Sequence, residues 1–181
     1  MDSRVYSHTT DIANCADDLA HKDIPSLISQ LTNPDSLIRN EAHDALSCIG
    51  APAVPELLKA LPNADNKLRW QIIKIFDTIQ DPTTIPILMK QLMDNNAEIR
   101  WAASNALLNL RRVAIPPLLE ALTRDFDSVW LRQSAHHILR VLRDNGKLTP
   151  EEEQVYKALG DIQSTISVPW AAIKALEALK K

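Results

Sequence analysis

Residues 84–113, TIPILMKQLMDNNAEIRWAASNALLNLRRV, decide the fold. Ile85-Pro86 opens the stretch. A residue before proline is pushed out of the helical region, and proline suits the first helical position, so the pair marks a helix start. Leu88 and Leu92 follow two and six residues after the proline, which suits a two-turn helix with one apolar side. The polar run MDNN then breaks the pattern, and Asn96 is a good N-cap for a second helix. From Arg100, four residues on, small or apolar residues fall at Ala103, Ala106, Leu107 and Leu110, a stripe of helical period. The stretch therefore reads as two short helices joined by a tight polar turn.

The same pattern recurs on both sides. Pro25, Pro55, Pro86 and Pro116 follow Ile24, Val54, Ile85 and Ile115, at spacings of 30, 31 and 30 residues. The next segments read PSLISQL, PELLKAL, PILMKQL and PPLLEAL, each with leucine two and six residues after the first proline. Asp35, Asp65, Asn96 and Ser128 stand at the second helix start, and Arg39, Arg69, Arg100 and Arg132 come four residues later. The apolar stripe repeats as Ala42, Ala45, Leu46 and Ile49, then Ile72, Ile75, Phe76 and Ile79, then in the last copy Ala135, Ile138, Leu139 and Leu142. Period comes before local reading, because repeats of this length stack helix pairs into one continuous core.

This predicts an all-α chain with no strand. Repeats span 23–52, 53–83, 84–113 and 114–145, the last with two extra residues in its TRDFDS loop. The ends differ, as terminal caps do. Residues 10–21 predict a lone leading helix within a 1–22 cap, with Ile12, Cys15, Ala16 and Leu19 on one face. Within 146–181, Thr149 and Glu152 form a capping box with Pro150 at the first helical position, opening a helix to about Leu159. Ser167 is expected to cap a last helix that turns Ile173, Leu176 and Leu179 inward.

Composition agrees. The 181 residues hold three glycines and eleven prolines, where usual frequencies give about twelve or thirteen glycines. That scarcity argues against Gly-rich phosphate loops, dinucleotide folds and sharp-turned β architectures. The net charge is −3. A dedicated nucleic-acid binder carries a basic excess, so DNA and RNA are disfavoured as partners. Cys15 and Cys48 form no CxxC motif and read as reduced thiols of a cytoplasmic protein, with a disulfide as the alternative. The start, MDSRVYSHTTD, has no apolar leader core, and no run approaches the length of a membrane span.

The unit xIPxLLxxLxxxDxxIRxxAxxALxxI resembles the short HEAT-like repeat of the phycobilisome-lyase group. The resemblance covers roughly residues 23–143. It implies a right-handed α-solenoid, with the first helices on the convex side and the second helices lining a concave groove. It also implies a range of functions. Some members are bilin lyase subunits or phycobilisome-degradation factors, and others are scaffolds without chemistry. HEAT-like DNA glycosylases and an iron-dependent lysine hydroxylase share the architecture. A fold of this kind does not name its function.

On each second helix the positions one, five and eight after the arginine lie together, away from the apolar stripe. They hold Asn40, Asp44 and Ser47; Trp70, Lys74 and Asp77; Trp101, Asn105 and Leu108; and Gln133, His137 and Arg140. Trp70 and Trp101 share one position in adjacent repeats. As a binding surface they form an apolar ledge rimmed by Asn40, Lys74, Asn105, Gln133, His137 and Arg140, the composition of an interface hot spot; as packing they fill space between repeats. The repeat arginines Arg39, Arg69, Arg100 and Arg132 can hold carboxylates or phosphates. Strict repetition favours instead a structural ladder to loop residues of neighbouring repeats such as Asn33, Asn63 and Asp94.

No catalytic residue, metal site or cofactor is expected. His43 and His136 share a register position, but three repeats place them about 25–30 Å apart. His136 and His137 diverge by about 100° on a helix. The lysine hydroxylases carry His-Glu after the repeat arginine, where this chain has Asn40-Glu41, Trp70-Gln71, Trp101-Ala102 and Gln133-Ser134. Asp44, Lys74 and Asp77 read as a surface ion-pair cluster. The expected function is a non-enzymatic scaffold that binds a protein or peptide. A bilin-handling role, with tryptophan stacking a tetrapyrrole, and a DNA-repair role stand as alternatives by analogy.

Overall fold

A computed structural model describes residues 23–180. The expected leading helix at 10–21, with Cys15, lies outside the described residues. Ten α-helices run through that span, with no strand among the described residues. Four short first helices are α1 (Ile24–Gln30), α3 (Val54–Ala60), α5 (Ile85–Gln91) and α7 (Ile115–Arg124). Each is followed by a longer second helix: α2 (Ser36–Ile49), α4 (Asn66–Ile79), α6 (Ala97–Asn109) and α8 (Val129–Asp144). The chain ends on α9 (Pro150–Leu159) and α10 (Ser164–Ala178). The architecture is all-α, of the solenoid class built from stacked helix pairs.

The helix starts differ from expectation by one residue. Ile24, Val54, Ile85 and Ile115 are themselves helical, and the proline stands second. The first amides of a helix have no internal acceptor, so proline costs nothing at either position. A turn of 3-10 helix leads into three of these starts, at Ala51–Ala53, Pro82–Thr84 and Arg111–Ala114. It sets the residue before proline in helical geometry in advance. The extra residues of repeat four lengthen α7 to ten residues, where the other first helices have seven.

The N-caps act as their residue types predict. Asp35 accepts from the Leu37 amide at 2.9 Å, Asp65 from Leu68 at 2.8 Å, Asn96 from Glu98 at 2.8 Å and Ser128 from Leu131 at 3.2 Å. Each such cap is worth about 1 kcal/mol. The leucines two and six residues after each repeat proline, Leu27 and Leu31 through Leu118 and Leu122, are all buried. So are the stripe residues, except that Ile49 and Ile79 at the ends of α2 and α4 are half-buried. Burying one such leucine or isoleucine contributes about 1.5–3 kcal/mol.

The chain divides into two compact units, one ending at Ile79 and one starting at Gln80. In the first, α1 packs on α2 and α3, and α2 packs on α4. In the second, α5 packs on α6 and α7, α6 on α8, α8 on α9, and α10 on both α9 and α7. The final pair thus stacks in reversed order. Its first helix lies on a second helix of the preceding repeat, and its last helix lies on a first.

Each second helix ends on a left-handed residue: Gly50, Gln80, Arg111 and Gly146, at φ of 70°, 55°, 58° and 65°. Such a position reverses the chain toward the next pair. The repeat therefore needs one left-handed residue per copy, and glycine fills only two of the four. Cys48 is disulfide-bonded and no described cysteine is free, which corrects the expectation of a reduced thiol.

The last helix also corrects its expectation. It begins at Ser164 with Gln163 as N-cap, and Ser167 lies within it. The Ser167 hydroxyl bonds the Gln163 and Ala158 carbonyls at 3.2 and 3.4 Å. Val168, Ala172 and Ala175 face inward. Ile173 and Leu179 are exposed and Leu176 is half-buried. Small residues at 172 and 175 permit close approach to α7 and α9, which the larger residues on the other side prevent.

Candidate functional site

The second helices carry the candidate face. In the first unit, Asn40 is exposed on α2 and Trp70 is half-buried on α4. One turn beyond Trp70, the Lys74 ammonium pairs with Asp77 at 2.7 Å. His43 approaches Asp44 at 3.5 Å on α2. Of the groups expected to cluster, Lys74 and Asp77 pair one turn apart on α4, while Asp44 meets its chain neighbour His43 on α2. In the second unit, Trp101 is 56% exposed on α6, with Asn105 half-buried one turn on. Gln133 and Arg140 are exposed on α8, and His137 is half-buried between them. An Arg140 guanidinium nitrogen stands 3.5 Å from His137 Nδ1.

His137 titrates below the ordinary histidine range. Burial is the main cause, followed by the charges of Arg140 and His136. His136 is lowered too, by burial and then by Arg140 and Arg143. Both imidazoles are therefore neutral at pH 7. Among the described residues, no group of three or more His, Cys, Asp or Glu side chains is placed to hold a metal ion.

The repeat arginines fold back on their own loops. Arg39 donates to the Asn33 and Pro34 carbonyls at 2.6 and 2.9 Å. Arg100 donates to Asp94 and Asn95 at 2.7 and 3.1 Å. Arg132 reaches the Phe126 carbonyl, and Arg69 the Asn66 side chain. The expected ladder to neighbouring repeats is thus, in its hydrogen bonds, a clamp within each repeat. The reason is reach. A guanidinium at the first turn of the second helix spans the carbonyls five and six residues back, which the tight turn leaves without helical partners.

Contacts between repeats come from positions the sequence reading had passed over. The Trp130 ring lies under the Arg100 guanidinium at 4.0 Å. Trp130 stands two residues before Arg132. Lys67 holds the same register before Arg69, and its ammonium reaches the Thr32 carbonyl at 3.4 Å. In both cases this position touches the preceding repeat, at a loop carbonyl for Lys67 and at the repeat arginine for Trp130. The buried Ser134 hydroxyl donates to the Leu92 carbonyl at 3.1 Å across α8 and α5.

One further pair was missed. Arg112 donates two parallel bonds of 2.7 Å to Glu152. Glu152 also closes the capping box of α9, accepting from the Thr149 amide at 3.0 Å. The two residues are 40 apart in sequence, and no spacing rule joins them.

No helix among the described residues is long and apolar enough to cross a membrane. No curated protein matches the chain. Residues 54–140 match the family model for HEAT repeats. That span starts at the first residue of α3 and ends within α8, so it covers the second and third helix pairs and most of the fourth. The match supports a HEAT-like repeat protein.

Proposed function

We propose that this protein is a non-enzymatic scaffold that binds another protein or peptide through the exposed face of its second helices. HEAT repeats commonly form protein-interaction scaffolds. The observation that carries the reading is Trp101. Its indole is 56% exposed on a helix whose apolar stripe is already buried, so packing does not account for it. Large aromatic side chains anchored on rigid elements are the usual hot spots of interfaces. Asn105, Gln133, His137 and Arg140 are the polar rim of Trp101 in the second unit, and in the first unit Trp70, at the same register of its repeat, is the anchor, with Asn40 and Lys74 beside it. The repeat arginines serve the scaffold by holding their own loops, which keeps the face preorganised and lowers the ordering cost of binding.

The test compares the protein with Trp101→Ala and Trp70→Ala variants after in-cell cross-linking and mass spectrometry. Partners cross-linked through α6 should be lost from Trp101→Ala and those cross-linked through α4 from Trp70→Ala, with helicity unchanged. An unchanged partner set from folded variants overturns the reading. The short period of 30 and 31 residues resembles that of the phycobilisome-lyase group, and a bilin-handling role is the second reading, by that analogy alone. Titrating a bilin and recording its visible spectrum tests that role, and an unchanged spectrum removes it. Cytoplasmic residence belongs to the same proposal and sits against the Cys48 disulfide, since such bonds persist mainly in oxidising compartments.

A further inference from the structure

The outer side of α10 carries large exposed apolar residues. Ile166, Trp170 and Ile173 are exposed at 63%, 66% and 42%. They follow each other at four and three residues, so they form one stripe along the helix. The other side of α10 is occupied by its packing on α7 and α9, and among the described residues the stripe is left uncovered. It extends about 10 Å along the helix at 1.5 Å per residue.

Beside the stripe lies a groove of about 740 Å³ between α8, α9 and α10. Its floor is aromatic. His136 stacks on Tyr156 with ring centroids 4.8 Å apart, and the Arg143 guanidinium covers Tyr156 at 4.3 Å. Trp170 is both a wall of the groove and the middle of the stripe. Lys157 and Lys174 line the groove, and Asp161 is the sole carboxylate residue among its lining. Both lysines are exposed, and among the described residues neither has a carboxylate within ion-pair distance.

We infer that this groove and stripe bind an acidic amphipathic peptide segment of a partner protein. Two unpaired ammonium groups beside an aromatic floor match carboxylates flanking an apolar side chain. A small molecule fills the groove and leaves the stripe uncovered, whereas a peptide of two to three helical turns covers both. A second copy of the chain would bring Lys157 and Lys174 toward their own counterparts, which is electrostatically unfavourable. The site is separate from the second-helix face around Trp101, and its test does not depend on that reading.

The probe is a fluorescein-labelled twelve-residue peptide with Leu and Phe at helical spacing and Glu and Asp elsewhere. Fluorescence anisotropy is read against the full protein. A second probe has Lys in place of every acid, and a third is single-stranded oligo-dT. The expected result is saturable binding of the acidic peptide alone. It should weaken about tenfold in Trp170→Ala and about tenfold in the Lys157→Glu, Lys174→Glu pair. It should weaken with added salt and stay unchanged in Trp101→Ala. All substituted residues are exposed, and circular dichroism verifies that the variants fold. No saturable binding of the acidic peptide at millimolar protein overturns the inference. So does equal binding of the basic peptide, or preference for oligo-dT, which assigns the groove to nucleic acid. A dimer in sedimentation that Trp170→Ala abolishes also overturns it, in favour of self-association.

Discussion

Breaking the Arg112–Glu152 pair should destabilise the second unit more than breaking any other ion pair among the described residues. The Glu152 side chain is 1% exposed and Arg112 is 46% exposed. The carboxylate is thus fully withdrawn from water while the guanidinium is half solvated. Removing one partner of a wholly buried pair costs about 3–5 kcal/mol. Solvation of Arg112 reduces this, so Arg112→Met should cost about 2–3 kcal/mol by stranding the carboxylate against the Thr149 amide alone. Glu152→Gln keeps the capping box, which accepts Gln, and keeps one acceptor for Arg112; it should cost about 1–2 kcal/mol. The double variant should be less destabilised than the sum, with a coupling of about 1.5 kcal/mol or more. Urea unfolding of the four proteins, followed by helicity at pH 7, measures the cycle. Exposed ion pairs couple by about 0.2–1 kcal/mol. A coupling below about 0.5 kcal/mol refutes the claim that this pair is held as a buried one. Arg112 itself stays charged throughout, because its hydrogen bonds to Glu152 raise its pKa.

Three other outcomes are expected of this fold. His136 and His137 have lowered pKa values in the fold, so the unfolded chain takes up protons first as pH falls through about 6.5; stability should decline from there downward, and urea midpoints of a His136→Gln, His137→Gln variant should show a shallower decline. Gly50 sits at φ 70°, ψ −137°, a region open essentially to glycine alone, so Gly50→Ala should cost about 1–3 kcal/mol, whereas Gln80→Gly should be neutral or stabilising by up to about 1 kcal/mol in the same assay. Arg100→Lys removes a forked donor and a guanidinium stacked on Trp130; it should cost about 1 kcal/mol and blunt the Trp130 fluorescence difference between folded and unfolded protein.

Much of the candidate site was legible in the register of the repeats. The positions after each arginine separate cleanly into a buried stripe and a polar face, because both follow from helical period alone. Exposure was not legible. Trp70 and Trp101 hold one register, yet the first is half-buried and the second exposed, since the room around each depends on residues from other helices. The arginine clamps were half legible. A guanidinium near a polar loop was expected, but which loop it reaches is a matter of side-chain length against turn geometry. The inward face of α10 was misread because that helix is apolar on two sides. A periodic signal selects one face only when the other is polar.

The sequence by itself determined the helix pairs, their caps, their leucine core and the period that makes them stack. These are local properties, written within about 30 residues by proline, capping side chains and apolar spacing. Only the tertiary structure decided which groups meet across that distance: Glu152 with Arg112, Trp130 with Arg100, and Trp170 with the lysines of its groove. Such contacts depend on how one helix is rotated and translated against the next. That placement is set by the sizes of side chains packed between them, which no spacing along a single strand of sequence records.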